Sequence, residues 1–262
     1  MTQTPSKPNF KTAPGHQVLA AAGKKALRPG GYTATEKLFA WANFQPGETV
    51  LELAASFGYS AIALAQRYGV RVVGVEKNLD SVARARANIA AARLTDQVDI
   101  VEGDIFHLDR ITEQFDYVLA EAILTMQSEA GKAKILAGIC DRLKPNGQFL
   151  SHELRAEGTD AKAIRQDLST TIRVNAAPLS ADGWLAACQQ AGLTVEQQDA
   201  GPMSLLNPSR IAQEEGVSTL LTIGWNMLTR PILRQRILAM RETFIRHGND
   251  LGYVALMARK AS

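Results

Sequence analysis

The chain has 262 residues, 46% of them hydrophobic, which is enough for one large domain with a real core and too apolar for a disordered protein. Its 29 basic and 26 acidic side chains leave a net charge of only +3, so composition provides no basic face for nucleic acid. No run of about eighteen apolar residues occurs, and no membrane-spanning helix is expected.

The chain opens with MTQTPSKPNFKTAPGH, with Pro and polar residues where a signal peptide needs an apolar run. It reads as a mobile tail, and a cytoplasmic address is expected. Residues 15–48 read GHQVLAAAGKKALRPGGYTATEKLFAWANFQPGE, in which LRPGGY is a glycine-rich hinge before a helix. Residues 1–47 are therefore expected to form a tail and helical lid over a domain spanning 48–262.

From Thr49 the pattern alternates. Apolar, β-branched runs at 49–54, 70–76, 98–104, 116–122 and 147–154 are separated by helix-like segments. That is the signature of a mostly parallel sheet with helices on both faces. Gly69, Asn78, Asp80 and the Lys144–Gly147 turn punctuate the alternation where helices should start or stop. Cys140 and Cys188 fall inside helix-like apolar runs and read as reduced core thiols.

Beyond His152 the reading is coarser. A polar helical stretch over 155–180 and an insert over 205–247 are expected as caps, with further strands near 193–203 and 251–260. Leu233, Ile237, Met240 and Phe244 share one helical face in the insert. Arg234, Arg236, Arg241 and Arg246 on the same helix are expected at the protein surface, or against anionic lipid if the helix meets a membrane.

Ligands of open parallel sheets lie beyond the carboxyl ends of the strands, so the loop after the first strand, in VLELAASFGYSAIALA, is the first place to look. A dinucleotide fingerprint laid from Ala54 finds Ala54, Ser56 and Tyr59 instead of three glycines, which speaks against NAD or FAD. Glu52, Ala54, Ser56 and Gly58 instead match the acidic-x-Gly-x-Gly-x-Gly spacing of the class I S-adenosylmethionine-dependent methyltransferases, with two small residues in place of glycine. Those are tolerable wherever φ is negative, and Gly58 supplies the permissive turn. Glu76 at the end of the second strand, Asp104 in EGDIF, LAEAI after the fourth strand and LKPNGQFL before the fifth extend the resemblance over residues 49–154. Within the family the chain looks most like the small-molecule group that includes ubiquinone-biosynthesis-type enzymes.

The resemblance implies an α/β Rossmann-like fold, a doubly wound, mostly parallel seven-stranded sheet with helical caps, and S-adenosylmethionine as cofactor. It also implies cofactor contacts at Glu52, Ala54, Ser56, Gly58, Glu76, Lys77, Asp104 and Ile105, with Glu76 on the ribose hydroxyls, Asp104 at the adenine amino group and Ile105 on the ring. Glu121, His152 and Tyr32 are the candidates at the acceptor. Glu121 is read either beside the methyl group or as a cofactor contact. His152 with Glu153 is read as a base and its orienting acid, or as a strand pair pointing one to the core edge and one to solvent. Tyr32 is read as a site residue or as packing that pins the lid.

Met126, Met203 and Met240 are either a soft acceptor pocket or core filler; Arg173 and Asn175 are either an anion site or a solvated helix face. No metal is expected, because the Asp and Asn of the family's magnesium-dependent members are missing. The fourth strand lacks the Asn/Asp-Pro-Pro-aromatic turn of enzymes that methylate bases or amides, so a small-molecule acceptor is expected and nucleic acid is not. With no secure base, the lean is to a sulfur, amine or activated-carbon nucleophile. A non-catalytic S-adenosylmethionine-binding regulator and a lipid- or quinone-type enzyme at a membrane surface stand as alternatives, and oligomeric state stays open.

Overall fold

In the computed structural model, residues 9–158 and 160–260 are described; the expected N-terminal tail falls largely outside them. Seven strands form one sheet in the order β3-β2-β1-β4-β5-β7-β6. They are β1 (Thr49–Leu53), β2 (Arg71–Glu76), β3 (Val98–Glu102), β4 (Phe115–Glu121), β5 (Leu143–Ala156), β6 (Leu193–Pro202) and β7 (Leu251–Lys260). β1 to β5 pair in parallel, and β7 enters antiparallel between β5 and β6. The strand order reverses between β1 and β4, so a crevice opens at their carboxyl ends.

The central strands are apolar because both faces are covered. On one face Leu38 and Phe39 of α2 (Gly31–Ala42), Leu64 of α3 (Tyr59–Tyr68) and Ile89 of α4 (Leu79–Ala91) pack with Val50, Val72, Ile100 and Tyr117. On the other, Ile135 and Ile139 of α5 (Glu129–Arg142) and Trp184 of α7 (Ala181–Gln190) pack with Leu53, Val75, Val118 and Phe149. Gly74 in β2 makes room for the turn after β1, since a Cβ there would stand 2.5 Å from Ile100 and 2.7 Å from Ala55. Gly74→Ala is expected to cost about 1–3 kcal/mol of stability by overpacking, read as a lower denaturant midpoint at unchanged slope.

A third apolar cluster forms the cap. Val18 and Leu19 of α1 (Gly15–Ala22), Ile164 and Leu168 of α6 (Ala161–Ile172), Ile211 of α8 (Pro208–Glu215), Ile223 of α9 (Val217–Thr229) and Leu233, Ile237 and Met240 of α10 (Pro231–Arg246) pack together over Leu154 and Leu251. The N-terminal segment is thus divided: α1 belongs to the cap, while α2 is a layer of the sheet core. Residue 47 is therefore no packing boundary.

Two expectations about exposure are corrected. Arg236 is buried rather than at the surface, because the carbonyls of Phe10, Ala13 and Thr171 accept its guanidinium N–H groups. His152 and Glu153 do point to opposite faces of β5, yet neither meets solvent, since both faces of that strand are covered. Cys140 is half-buried, Cys188 is buried, and both are free thiols.

Candidate active site

The crevice begins with the turn from β1 into α3. Ala54, Ser56 and Gly58 all lie in the left-handed region, at φ of 54°, 50° and 76°. The condition under which the two small residues are readily tolerated, a negative φ, is not met: they hold the glycine conformation despite their Cβ atoms. Anchors on either side hold the turn in this conformation. Ala55 N–H donates to the Val75 carbonyl at 3.0 Å, Ser56 N–H to Glu76 Oε2 at 2.9 Å, and Asn88 Nδ2 to the Phe57 carbonyl at 3.0 Å. A left-handed L-residue costs about 1–2 kcal/mol, partly offset in glycine by backbone entropy. Ala54→Gly is accordingly expected to raise stability by up to about 1 kcal/mol in a thermal melt, whereas a negative φ would make it a loss.

The acids expected at the strand ends lie along this turn. Glu76 Oε1 accepts from Asn78 N–H at 2.8 Å while its other oxygen holds Ser56. Asp104 accepts from Lys77 Nζ at 2.7 Å and from Phe106 N–H at 3.0 Å, and Lys77 followed by that backbone bond holds its carboxyl below the usual range. Ile105 packs half-buried beside it. Lys77 itself is largely exposed, so its contact with the crevice is through Asp104.

Beneath the crevice lies a buried polar cluster. Glu52 Oε2 has no hydrogen-bond partner among the described residues, and burial followed by the nearby Glu121 raises the Glu52 carboxyl to about 8, against Arg28 and Ser60. Arg28 reaches Ser60, Thr35 Oγ1 at 3.1 Å and Glu121 Oε2 at 2.9 Å. Burial raises the Glu121 carboxyl, but Arg28, His152 and Thr35 outweigh it and keep the group below the usual range. His152 Nε2 accepts the Gly30 N–H at 2.9 Å, so the ring proton sits on Nδ1, which faces Glu121 Oε1 at 3.5 Å. Burial lowers the His152 pKa. His152 is thus a neutral strut under the Gly30–Gly31 hinge, not an open base. Nor does Glu153 orient it: that carboxylate accepts from the backbone of Ile123, Leu124 and Thr125 on the opposite face.

The start of α2 is held from the far end of the chain. Glu214 accepts from Tyr32 N–H at 2.9 Å and Thr33 Oγ1 at 2.8 Å, capping the otherwise bare start of α2. Glu215 holds Lys24 and the Lys25 N–H. The Tyr32 ring is half-buried with the Arg28 guanidinium 5.9 Å from its centroid, and burial raises its phenol pKa.

Beside this cluster an open-mouthed apolar pocket lies between sheet and cap. The structure brings Met126, Met203 and Met240 together in its wall, with Leu27, Phe244 and the strand-end residues Ala122 and Thr125. His16 also lines it. Packing lowers the His16 pKa, with Glu76 opposing, and its ring makes no hydrogen bond among the described residues. Arg173 and Asn175 do not form a pair facing the cavity: Arg173 is exposed at the end of α6, and Asn175 donates to the Met126 carbonyl.

The methyltransferase-domain family matches residues 50–147, from β1 to the turn inside β5. An uncharacterised protein of Haemophilus influenzae is 34% identical over 94% of this chain and 98% of its own length. A sterol 24-C-methyltransferase of Saccharomyces cerevisiae is 32% identical over 43% of this chain and 29% of its own length. The fold is that of an S-adenosylmethionine-dependent methyltransferase from Thiobacillus denitrificans solved with S-adenosylhomocysteine, at a TM-score of 0.65 and 17% identity, covering 93% of this chain and 98% of that one. The chain belongs to the class I S-adenosylmethionine-dependent methyltransferases.

As a methyltransferase of this class it takes S-adenosylmethionine as cofactor. The crevice fits that ligand: three consecutive strand ends offer carboxylates, the turn after β1 holds left-handed backbone, and Glu52 keeps a buried oxygen with no partner among the described residues, which suits a ligand that carries two cationic groups. The ubiquinone-type subgroup is a finer placement than these likenesses reach. Sequence reasoning missed Arg28, Thr35, Ser60 and His16. Arg28 lay in plain view as the one charge in LRPGGY, which was read only as a hinge.

Proposed function

We propose that this methyltransferase acts on a small, largely apolar acceptor seated among Met126, Met203 and Met240, and that the accepting atom is a sulfur, an amine nitrogen or an activated carbon. The observation that carries this reading is the cavity itself, apolar on nearly every side and ending against Ala122 and Thr125 beyond β4. The yeast relative's name records methylation of a sterol at a carbon, which agrees with a carbon among the accepting atoms named.

In this reading Glu76 takes the ribose hydroxyls, Asp104, steadied by Lys77, the adenine amino group, and Ile105 one face of the ring. Ala54, Ser56 and Gly58 let the ligand approach the turn, while Glu52 answers its ammonium group and Arg28 its carboxylate. When bound, the cofactor supplies a methyl group on a good sulfonium leaving group, so the protein's work is alignment and exclusion of water. Glu121 and His152 act as positioning residues, holding Arg28 and the Gly30 hinge. Tyr32 and α1 close the crevice as a lid. Neutral His16, at the wall of the pocket, receives the proton that an amine or thiol sheds as its new bond to carbon forms.

The test is a labelled-methyl screen of apolar thiols, amines and enolisable carbons, run alongside Met240→Trp. Filling the pocket is expected to lower kcat/KM for the acceptor by at least about a hundredfold, because overpacking excludes a ligand outright. Cofactor affinity should be unchanged. Turnover of a high-pKa alcohol alone, or full activity in Met240→Trp, would overturn the reading.

A further inference from the structure

The outer surface of the cap holds a feature that methyl transfer does not use. α9 buries Thr219 and Ile223 but turns Val217, Leu221, Trp225 and Leu228 outward, exposed by 60%, 69%, 66% and 67%. Helical spacing places these four on one arc. Gly224 lies on the same arc, and a Cβ there would meet nothing within 4 Å. No charged residue interrupts Val217–Thr229. Single exposed apolar residues need no explanation, but a continuous stripe of this kind marks an interaction site.

The charges around the stripe that lack an ion pair among the described residues have one sign. Lys25 stands beside the N-terminal end of α9, its N–H bonded to Glu215, and Arg230 closes the C-terminal end. Arg234 and Arg241 continue along the exposed side of α10 with Leu238 and Ile245. The side chains of Lys25, Arg234 and Arg241 have no ion pair or hydrogen bond among the described residues. The nearby acids are all committed: Glu215 to Lys24, Glu214 to the hinge and Arg210, and Glu242 to Arg246.

We propose that α9 is a membrane-docking helix that lies in the surface of a bilayer containing anionic lipid. Its apolar arc enters the acyl boundary, Trp225 sits at headgroup depth, and Lys25, Arg230, Arg234 and Arg241 meet the phosphates. Thirteen residues of helix span about 20 Å, too short to cross, so the helix lies along the membrane. A second copy of the chain is a poorer occupant, because a two-fold contact would set the same unpaired cations against each other with no acid to answer them. Docking does not depend on the acceptor proposed above and is measured without one.

The experiment is co-sedimentation of the full chain with vesicles of phosphatidylcholine alone and of phosphatidylcholine mixed with phosphatidylglycerol. Binding is expected to the mixed vesicles, to weaken with salt, and to blue-shift the Trp225 emission. Leu221→Ser with Trp225→Ser should reduce partitioning by at least about tenfold, with S-adenosylmethionine affinity unchanged because the outer arc of α9 touches no part of the cofactor turn. Arg234→Glu with Arg241→Glu should weaken binding to the mixed vesicles alone. Failure to sediment with them, sedimentation of the apolar double variant like the parent, or a dimer that this variant splits would each overturn the proposal.

Discussion

Glu76→Ala is expected to weaken S-adenosylmethionine binding by about 2–4 kcal/mol, some 30- to 1000-fold, because two hydrogen bonds from ribose hydroxyls to a charged acceptor vanish together. The structure adds a second route to the same loss. Each Glu76 oxygen already accepts a backbone N–H, from Ser56 and from Asn78, so the carboxylate also holds the turn that the ligand approaches. Glu76→Gln separates the two effects. Its amide oxygen can still hold one of those N–H groups while the charge is gone, and it should retain affinity between the parent and the alanine variant. Stability should change by no more than about 1 kcal/mol, since these bonds are at the surface. Calorimetric titration reads the affinity directly, and a Glu76→Ala protein that binds as the parent does would remove the ribose from the end of β2.

The sheet was legible in the sequence because its middle strands are covered on both faces and read as apolar runs such as VVGV and YVLA. The acids at the strand ends were legible for a related reason: Glu76 closes the apolar run of β2 where the chain leaves the sheet, and Asp104 stands two residues past the end of β3. What stayed hidden depends on contacts across the chain. Nothing local reveals that Ala54 and Ser56 adopt left-handed backbone, because propensity opposes it and the turn is held by Val75, Glu76 and Asn88 from other elements. Nor does the PGGY hinge announce that its cap is a carboxylate 182 residues further on. The same holds for His152 and Glu153, where alternation correctly separated their faces but could not show that both faces are roofed. The three methionines belonged to segments with no periodic relation to one another, so only folding could decide between pocket and filler.

Glu52 carries the other large effect, a dependence of cofactor affinity on pH. With its carboxyl raised to about 8 by burial and by Glu121, the free protein holds Glu52 mostly protonated at neutral pH. A ligand with an ammonium and a sulfonium group favours the carboxylate, so binding lowers that pKa and releases a proton. Affinity must then rise as pH rises, from the lowered pKa of the complex up to about 8, and flatten above it. Each pH unit within that window is worth up to about 1.4 kcal/mol, or tenfold. Between pH 6 and about 7.5, where the cofactor's own α-amino group stays protonated, an increase of about tenfold or more is expected. Titrations in buffers of different ionisation enthalpy should show close to one proton released. Glu52→Gln should abolish both the slope and the release. S-adenosylhomocysteine keeps the ammonium but lacks the sulfonium charge, so an equal slope for both ligands assigns the interaction to the amino group, and a slope for S-adenosylmethionine alone assigns it to sulfur. A flat profile for both would mean that the unpartnered Glu52 oxygen answers neither charge, and that the ligand's cationic end lies elsewhere in the crevice.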